Sequence, residues 1–350
     1  MSQAQGADLT SRPVEARVGA NPLVSVVTPF YNTEDYLAEC IASVLGQTYG
    51  NWEYVLVDNR STDGSAAIAR RYADRDPRVR LVENEQFLGQ VENYNHALRQ
   101  ISAASKYCKI VQADDWIFPN CLEEMVRAAE SHTGVALVGS YTLVGTQLAH
   151  GGLRHGNRPR PGPEVLRRCL AEGLVLFSSP TCVMYLSSQV RARRPFFSLE
   201  SPVEDVEACF DVLLEGDMAF VHQVLTFTRR ENESIWSGIE RYSPMLLYGM
   251  ILTHRYGPRL FTPAEFDELR SRIESKYYRF LGQAVFFQGR SRGFWKFHAK
   301  GLARAGSRIK KLTLARHILL ALVDLLGNPK ATLERLWGAL GRRGVDRRAS

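Results

Sequence analysis

The chain has 350 residues, 45% hydrophobic and 23% charged, enough to bury a sizeable core without disulfides or a structural metal. Its six cysteines (Cys40, Cys108, Cys121, Cys169, Cys182, Cys209) never fall at C-x-x-C spacing. Zinc and redox motifs are therefore unsupported, and buried free thiols in a reducing cytoplasm are expected. The net charge of +7 is uneven: residues 289–350 carry 15 Lys and Arg against 3 Asp and Glu, and the remainder 29 against 34. A mildly acidic body with a basic tail suits an anionic partner surface.

Residues 1–21 are polar, without the apolar run of a secretory signal, and are expected to be a disordered leader. From Leu23 strand and helix patterns alternate. Val-rich runs predict buried strands over 23–28, 52–57, 79–82 and 107–111, with helices between them starting near Glu34, Ser61 and Val91. A helix at 122–129 and an extended run at 135–138 follow. Residues 151–163, with Arg154, His155, Arg158 and Arg160 among Gly and Pro, predict a long loop that could act as a lid. Further helices (164–170, 203–214) and strands (181–186, 219–227) close the domain, and the chain beyond Glu240 has helical periodicity. Such alternation predicts a mostly parallel sheet with helices on both faces. Ligands of such sheets bind outside the carboxyl ends of the strands, where polar clusters follow directly: Pro29 to Asn32, Asp58 to Ser61, and Asp114-Asp115.

Adjacent carboxylates repel unless a cation or hydrogen bonds compensate. Asp114 and Asp115 suit Mg²⁺ or Mn²⁺, which take one or two carboxylates and fill the rest with water and phosphate, or one of them caps the helix beyond Pro119. Asp58 could accept hydrogen bonds from a nucleobase or ribose, or could form an Asx turn, for which Asp63 and Thr62 are the better candidates. Glu204-Asp205 opens a helix, where acids are commonplace. No G-x-G-x-x-G follows the first strand, no P-loop motif occurs, and no His pair has zinc-ligand spacing.

Taken together, the motifs resemble the family 2 glycosyltransferases of GT-A fold. Val24 to Asn32 is similar to the family's V-S-V-I-I-P-x-Y-N, Gln47-Thr48-Tyr49 to its Q-T-Y, and Asp58 to Ser65 to its D-D-G-S-T-D-G-[ST]. Asn84 to Asn95 is similar to its E-N-x-G segment, Asp114-Asp115-Trp116 to its metal-binding D-x-D region, and Glu204-Asp205 to its E-D pair. The resemblance covers about residues 22–230. It implies a GT-A domain over 22–240 and a basic helical region over 241–350. It also implies that Pro29, Tyr31, Asn32, Asp58, Asn95, Asp114 and Arg230 bind a nucleotide-sugar donor, usually of uridine. Asp114 or Asp115 would hold Mn²⁺ or Mg²⁺, Asp205 would be the catalytic base, and Glu204 and Ser234 would lie on the acceptor side. Gln112 stands where the family has its first metal-region Asp, Asn59 replaces the second Asp of the D-D pair, and Tyr94 replaces an Arg that often contacts the donor.

The implied activity is inverting transfer of a sugar to a hydroxyl of a glycan or lipid-linked acceptor in cell-surface assembly. A nucleotidyltransferase would share the sheet and the acids but should carry a Gly-rich basic loop after the first strand, which Thr28 to Asn32 lacks. A catalytically silent sugar-nucleotide-binding protein is the remaining alternative. Nucleic acid is not an expected partner, because the last fifty residues hold a single aromatic, Trp337. Apolar positions from Ile309 to Leu326 are too charge-interrupted for a transmembrane span and predict an amphipathic helix on an anionic membrane face, so a cytoplasmic, peripheral location is expected.

Overall fold

The computed structural model describes residues 21–156, 158–230, 242–287, 291–304 and 306–327. The expected leader, Ser234 and the basic residues beyond 327 lie outside the described residues. The first half alternates as expected: β1 (Val24–Phe30), α1 (Glu34–Leu45), β2 (Trp52–Asp58), α2 (Ser65–Ala73), β3 (Val79–Glu83), α3 (Gln90–Leu98) and β4 (Tyr107–Ile110). There follow β5 (Trp116–Ile117), α4 (Cys121–Glu130), β6 (Val135–Val144), β7 (Gln147–Ala149), β8 (Arg160–Pro161) and α5 (Gly162–Glu172). A 3-10 turn over Pro180–Cys182 leads into β9 (Val183–Leu186), α6 (Ser187–Ala192), α7 (Glu204–Leu213) and β10 (Asp217–Thr228). Four helices complete the chain: α8 (Pro244–Leu260), α9 (Pro263–Phe287), α10 (Arg292–Arg304) and α11 (Lys311–Gly327).

The main sheet has the order β3-β2-β1-β4-β9-β6-β10-β5. Strands β1 to β4 pair in parallel, as does β6 with β10, but β9 is antiparallel to both β4 and β6. The sheet is thus mostly parallel, as the strand–helix alternation predicts, with β9 inserted antiparallel between β4 and β6. Side chains alternate between faces along each strand. Val27, Val55, Val57 and Ile110 enter one apolar cluster, and Val24, Val26, Tyr54 and Leu56 the other. The first cluster is covered by α3, α5 and α7 and extends into the C-terminal helices, where Leu247, Tyr256, Tyr277 and Phe294 are buried in it. The helices from Pro244 onward therefore share the core of the sheet domain.

One glycine sets a close contact. A Cβ on Gly162, at the start of α5, would lie 2.0 Å from the Leu213 carbonyl oxygen and 2.2 Å from that of Gly216. Only glycine lets α5 begin against the end of α7. Strand order reverses between β1 and β4, and the polar clusters gather at the carboxyl ends of these strands.

Candidate active site

Beyond β1 and β2 the backbone turns sharply. Asn32 and Arg60 have φ of 50° and 62°, in the left-handed region. The Asn32 side chain fixes the facing loop, its Oδ1 accepting from the Thr62 N–H at 2.8 Å while its Nδ2 donates to the Thr62 hydroxyl at 3.2 Å. Asp58 is buried, and its Oδ1 accepts from the Ser61 N–H at 3.0 Å, so the turn role and the end-of-strand position coincide in one residue. Asp63 caps too, accepting from the N–H groups of Ser65 and Glu34. Tyr31 (43% exposed) meets Phe87 (59% exposed) edge to face at 4.9 Å, an uncovered aromatic pair beside Asp58. Phe87 is a residue the motif reading missed. Its loop is held by Asn59, whose amide donates to the Leu88 carbonyl and accepts from the Leu88 N–H, both at 2.9 Å. Pro29 lies inside β1, buried opposite Val57, rather than in the loop.

After β4 the two adjacent acids part company. Asp115 is buried and its oxygens are met from within the protein. Oδ2 accepts from the Thr181 hydroxyl at 2.6 Å with the Thr228 hydroxyl at 3.4 Å, and Oδ1 accepts from the Arg229 N–H at 3.1 Å. Burial, then the Asp114 charge, still push its pKa up to about 7. Asp114 is half-buried. Arg229, which the sequence reading passed over in favour of Arg230, folds back over the pair. Its Nε donates to the Asp114 carbonyl at 3.1 Å and its guanidinium meets Glu39 at 2.5 Å. Arg230 is exposed at the end of β10, beside Gly145.

Gln112 and Tyr94, the two departures from the family pattern, are joined. Gln112 Nε2 donates to the Tyr94 hydroxyl at 3.0 Å, and Gln112 Oε1 accepts from the Ser179 hydroxyl at 2.5 Å. A neutral chain replaces what would be an arginine and a carboxylate. Burial, then Asp114, raise the Tyr94 pKa, so the phenol stays protonated.

Glu204 and Asp205 open α7 and line a cleft of about 360 Å³, solvent at its mouth included, with Gln90, Tyr94, Gln112 and Phe197. Asp205 Oδ1 accepts from the Val206 N–H at 2.7 Å. Burial raises the Asp205 pKa, and burial followed by the Asp205 charge raises that of Glu204 to about 7. Desolvation, joined for Glu204 by the Asp205 charge, outweighs the helix N-terminus, which alone would lower both.

Asn95, which the family pattern places towards the donor, is buried, and its amide is bonded within the protein. Its Oδ1 accepts from the N–H groups of Phe196 and Phe197, and its Nδ2 donates to the carbonyls of Val91 and Phe197. It ties α3 to the segment before α7.

A family profile described as "Glycosyl transferase family 2" matches residues 25–192. Bacillus subtilis (strain 168) "Putative glycosyltransferase EpsE" is 30% identical over 221 residues, 61% of this chain and 75% of that protein. The chain belongs to glycosyltransferase family 2. Among solved structures, S. aureus TarS 1–349 in complex with UDP-GlcNAc shares the transferase's fold at a TM-score of 0.58 and 16% identity, over 92% of each chain. The mannosyltransferase PcManGT from Pyrobaculum calidifontis, in complex with GDP-Man and Mn²⁺, aligns at 0.53 and 19%, over 93% of this transferase and 88% of its own chain. The fold thus matches these structures along nearly the whole length of the chain.

Proposed function

We propose that this transferase moves a sugar, with inversion, from a nucleoside-diphosphate donor to a hydroxyl of a cell-surface glycan or glycolipid acceptor. The observation that carries the reading is the cleft itself: the Glu204–Asp205 pair forms one wall and the Tyr94–Gln112 pair another, next to the Asp114 end of β4. The uncovered Tyr31–Phe87 pair beside Asp58 offers a stacking face and an acceptor for a nucleobase such as uracil. Asp205 takes the proton of the attacking hydroxyl, and its raised pKa makes it a better base than an ordinary aspartate. Glu204, pushed up to about 7 by burial and then by the Asp205 charge, stands beside it as a second acid or base. The protonated Tyr94 offers a neutral donor to the sugar where an arginine would bring charge.

Among the described residues no cluster of three or more His, Cys, Asp or Glu side chains could hold a metal. A single protein carboxylate is still enough for Mg²⁺ or Mn²⁺, which take one such ligand together with phosphate and water oxygens. Asp114 would be that ligand, because the oxygens of Asp115 are already engaged. When bound, the cation would neutralise charge on the departing diphosphate. Asp115 instead positions Arg229 and the Thr181 segment around it.

The basic end completes the reading. No helix among the described residues is long and apolar enough to cross a membrane. Yet α11 exposes Leu312 (89%), Leu319, Leu320, Val323 and Leu326 (74%), with Arg308, Lys311 and Arg316 exposed alongside. This face would rest on an anionic membrane surface and bring the cleft to lipid-linked acceptors.

Thermal unfolding against a panel of nucleotide sugars, with and without Mn²⁺, tests the core of the proposal. A metal-dependent rise in Tm with one donor class is the expected result, since ligand binding to the folded state stabilises it. Equal Tm with every donor in both conditions would overturn it.

A further inference from the structure

A second concave site lies away from the cleft, where the loop after β7 passes over β10. It encloses about 270 Å³, solvent at its mouth included, and Arg154, Arg158, Arg160 and His222 converge on it above a floor of Leu153 and Phe220. His222 lies six residues before Thr228 on β10, which at ~3.3 Å per residue puts it roughly 20 Å along the strand from the Asp115 contacts.

The charges here are unbalanced. Residues 151–163 contain no acid. Arg160 reaches Glu164 at 3.4 Å, while the neighbouring Arg168 is taken by Glu172 at 3.0 Å. Among the described residues, Arg154 and Arg158 make no ion pair. His155 stacks on His222 at 4.4 Å between ring centres, bringing a second imidazole to the cluster, and the Tyr141 hydroxyl lies 3.0 Å from His222 Nδ1. The guanidiniums of Arg154, Arg158 and Arg160 share one concavity and repel one another, a repulsion that solvent moderates at the exposed Arg154 and Arg158. Burial, then the charges of His155 and Arg160, hold the imidazole of His222 below its usual pKa. An oxyanion would relieve this repulsion and take charge-assisted hydrogen bonds from the forked guanidiniums.

We propose that Arg154, Arg158, Arg160 and His222 form a binding site for a phosphate or carboxylate group, separate from the donor site. In a family 2 transferase such a group would be carried by an acidic acceptor chain or come as a free anion. The inference stands on the cluster itself and does not depend on how the donor is bound.

The test uses the full chain saturated with UDP and Mn²⁺, so that the cleft is occupied, titrated with inorganic phosphate in one arm and glucuronate in the other. The His222 imidazole, facing His155, Tyr141 and the three arginines, is followed by NMR. Phosphate or glucuronate is expected to raise its pKa, since a bound anion favours the imidazolium. Arg154→Ala/Arg158→Ala is expected to weaken the anion at least tenfold while leaving donor hydrolysis and its KM unchanged. Response to phosphate alone identifies a phosphate-bearing ligand; response to glucuronate identifies a sugar carboxylate. A His222 titration indifferent to both anions, or equal binding by wild type and the double variant, would overturn the proposal. A loss of donor hydrolysis in the double variant would overturn its separateness from the cleft.

Discussion

Glu204-Asp205 lines the cleft and Asp114-Asp115 lies two residues beyond its Gln112, yet the two acid pairs are built differently. Asp115 collects donors from the 3-10 turn, from β10 and from the Arg229 backbone, which spends its oxygens on holding three segments together. Glu204 and Asp205 stand at a helix start that supplies Asp205 with the Val206 N–H, and burial keeps both pKa values high. The difference teaches that proximity of two carboxylates says little about their work. The supply of fixed donors decides whether a carboxylate pins the fold or remains free to trade a proton.

The sharpest way to break this contrast is Asp205→Asn. The amide keeps the shape and the Val206 contact but cannot take a proton, so transfer should fall 10²–10⁴-fold with Tm and donor affinity unchanged. Wild-type turnover in this variant would remove Asp205 from the chemistry, and Glu204→Gln measured in parallel tells whether its neighbour carries the role. Next come Asp114→Ala and Asp115→Ala. The first should lose the response to Mn²⁺ at normal stability. The second should unfold several degrees earlier, because the Arg229 N–H and the Thr181 hydroxyl lose their acceptor, at about 1–3 kcal/mol for each unsatisfied buried group. Identical behaviour of the two alanine variants would erase the distinction.

The surface contrast between cleft and tail gives a third expectation. Leu319→Asp/Val323→Asp should lose sedimentation with anionic liposomes and keep donor binding, whereas retention on liposomes would assign the leucine face elsewhere. The smallest effect concerns pH. The folded pKa of Glu204 is raised from the ordinary 4.5 to about 7, so its wild-type stabilisation is full below 4.5 and is lost as pH rises through 7. The advantage in Tm of Glu204→Gln over wild type should therefore grow between pH 4.5 and 7 and level off above. An advantage that is constant with pH would mean that Glu204 titrates normally.

Much of this was readable from residues. Val-rich runs ending in polar clusters located β1, β2 and β4 and the carboxyl edge where those clusters gather, because burial on both faces demands continuous apolar sequence. The direction of β9 was not readable, since Val183 to Leu186 looks the same run either way. Nor did sequence separate Asp115 from Asp114. Their difference is made by Thr181, Thr228 and Arg229, more than sixty residues away. The tie that Asn95 makes was hidden for the same reason: its partners Phe196 and Phe197 come about a hundred residues later. The closure of the C-terminal helices onto the sheet core likewise depends on long-range contacts that periodicity does not report.

That Asn95 amide has a consequence for how the transferase spends its donor. By joining α3, which presents Tyr94, to the chain that enters Glu204 and Asp205, it makes the two walls of the cleft one body. The gap into which a nucleophile must fit is then set in advance by three hydrogen bonds. Water is always abundant and always small, so a slackened gap admits it first. Asn95→Ala should thus leak, releasing free sugar at the expense of glycosylated product, and the ratio of the two in a single reaction measures how well the wall spacing guards the donor against wasteful hydrolysis.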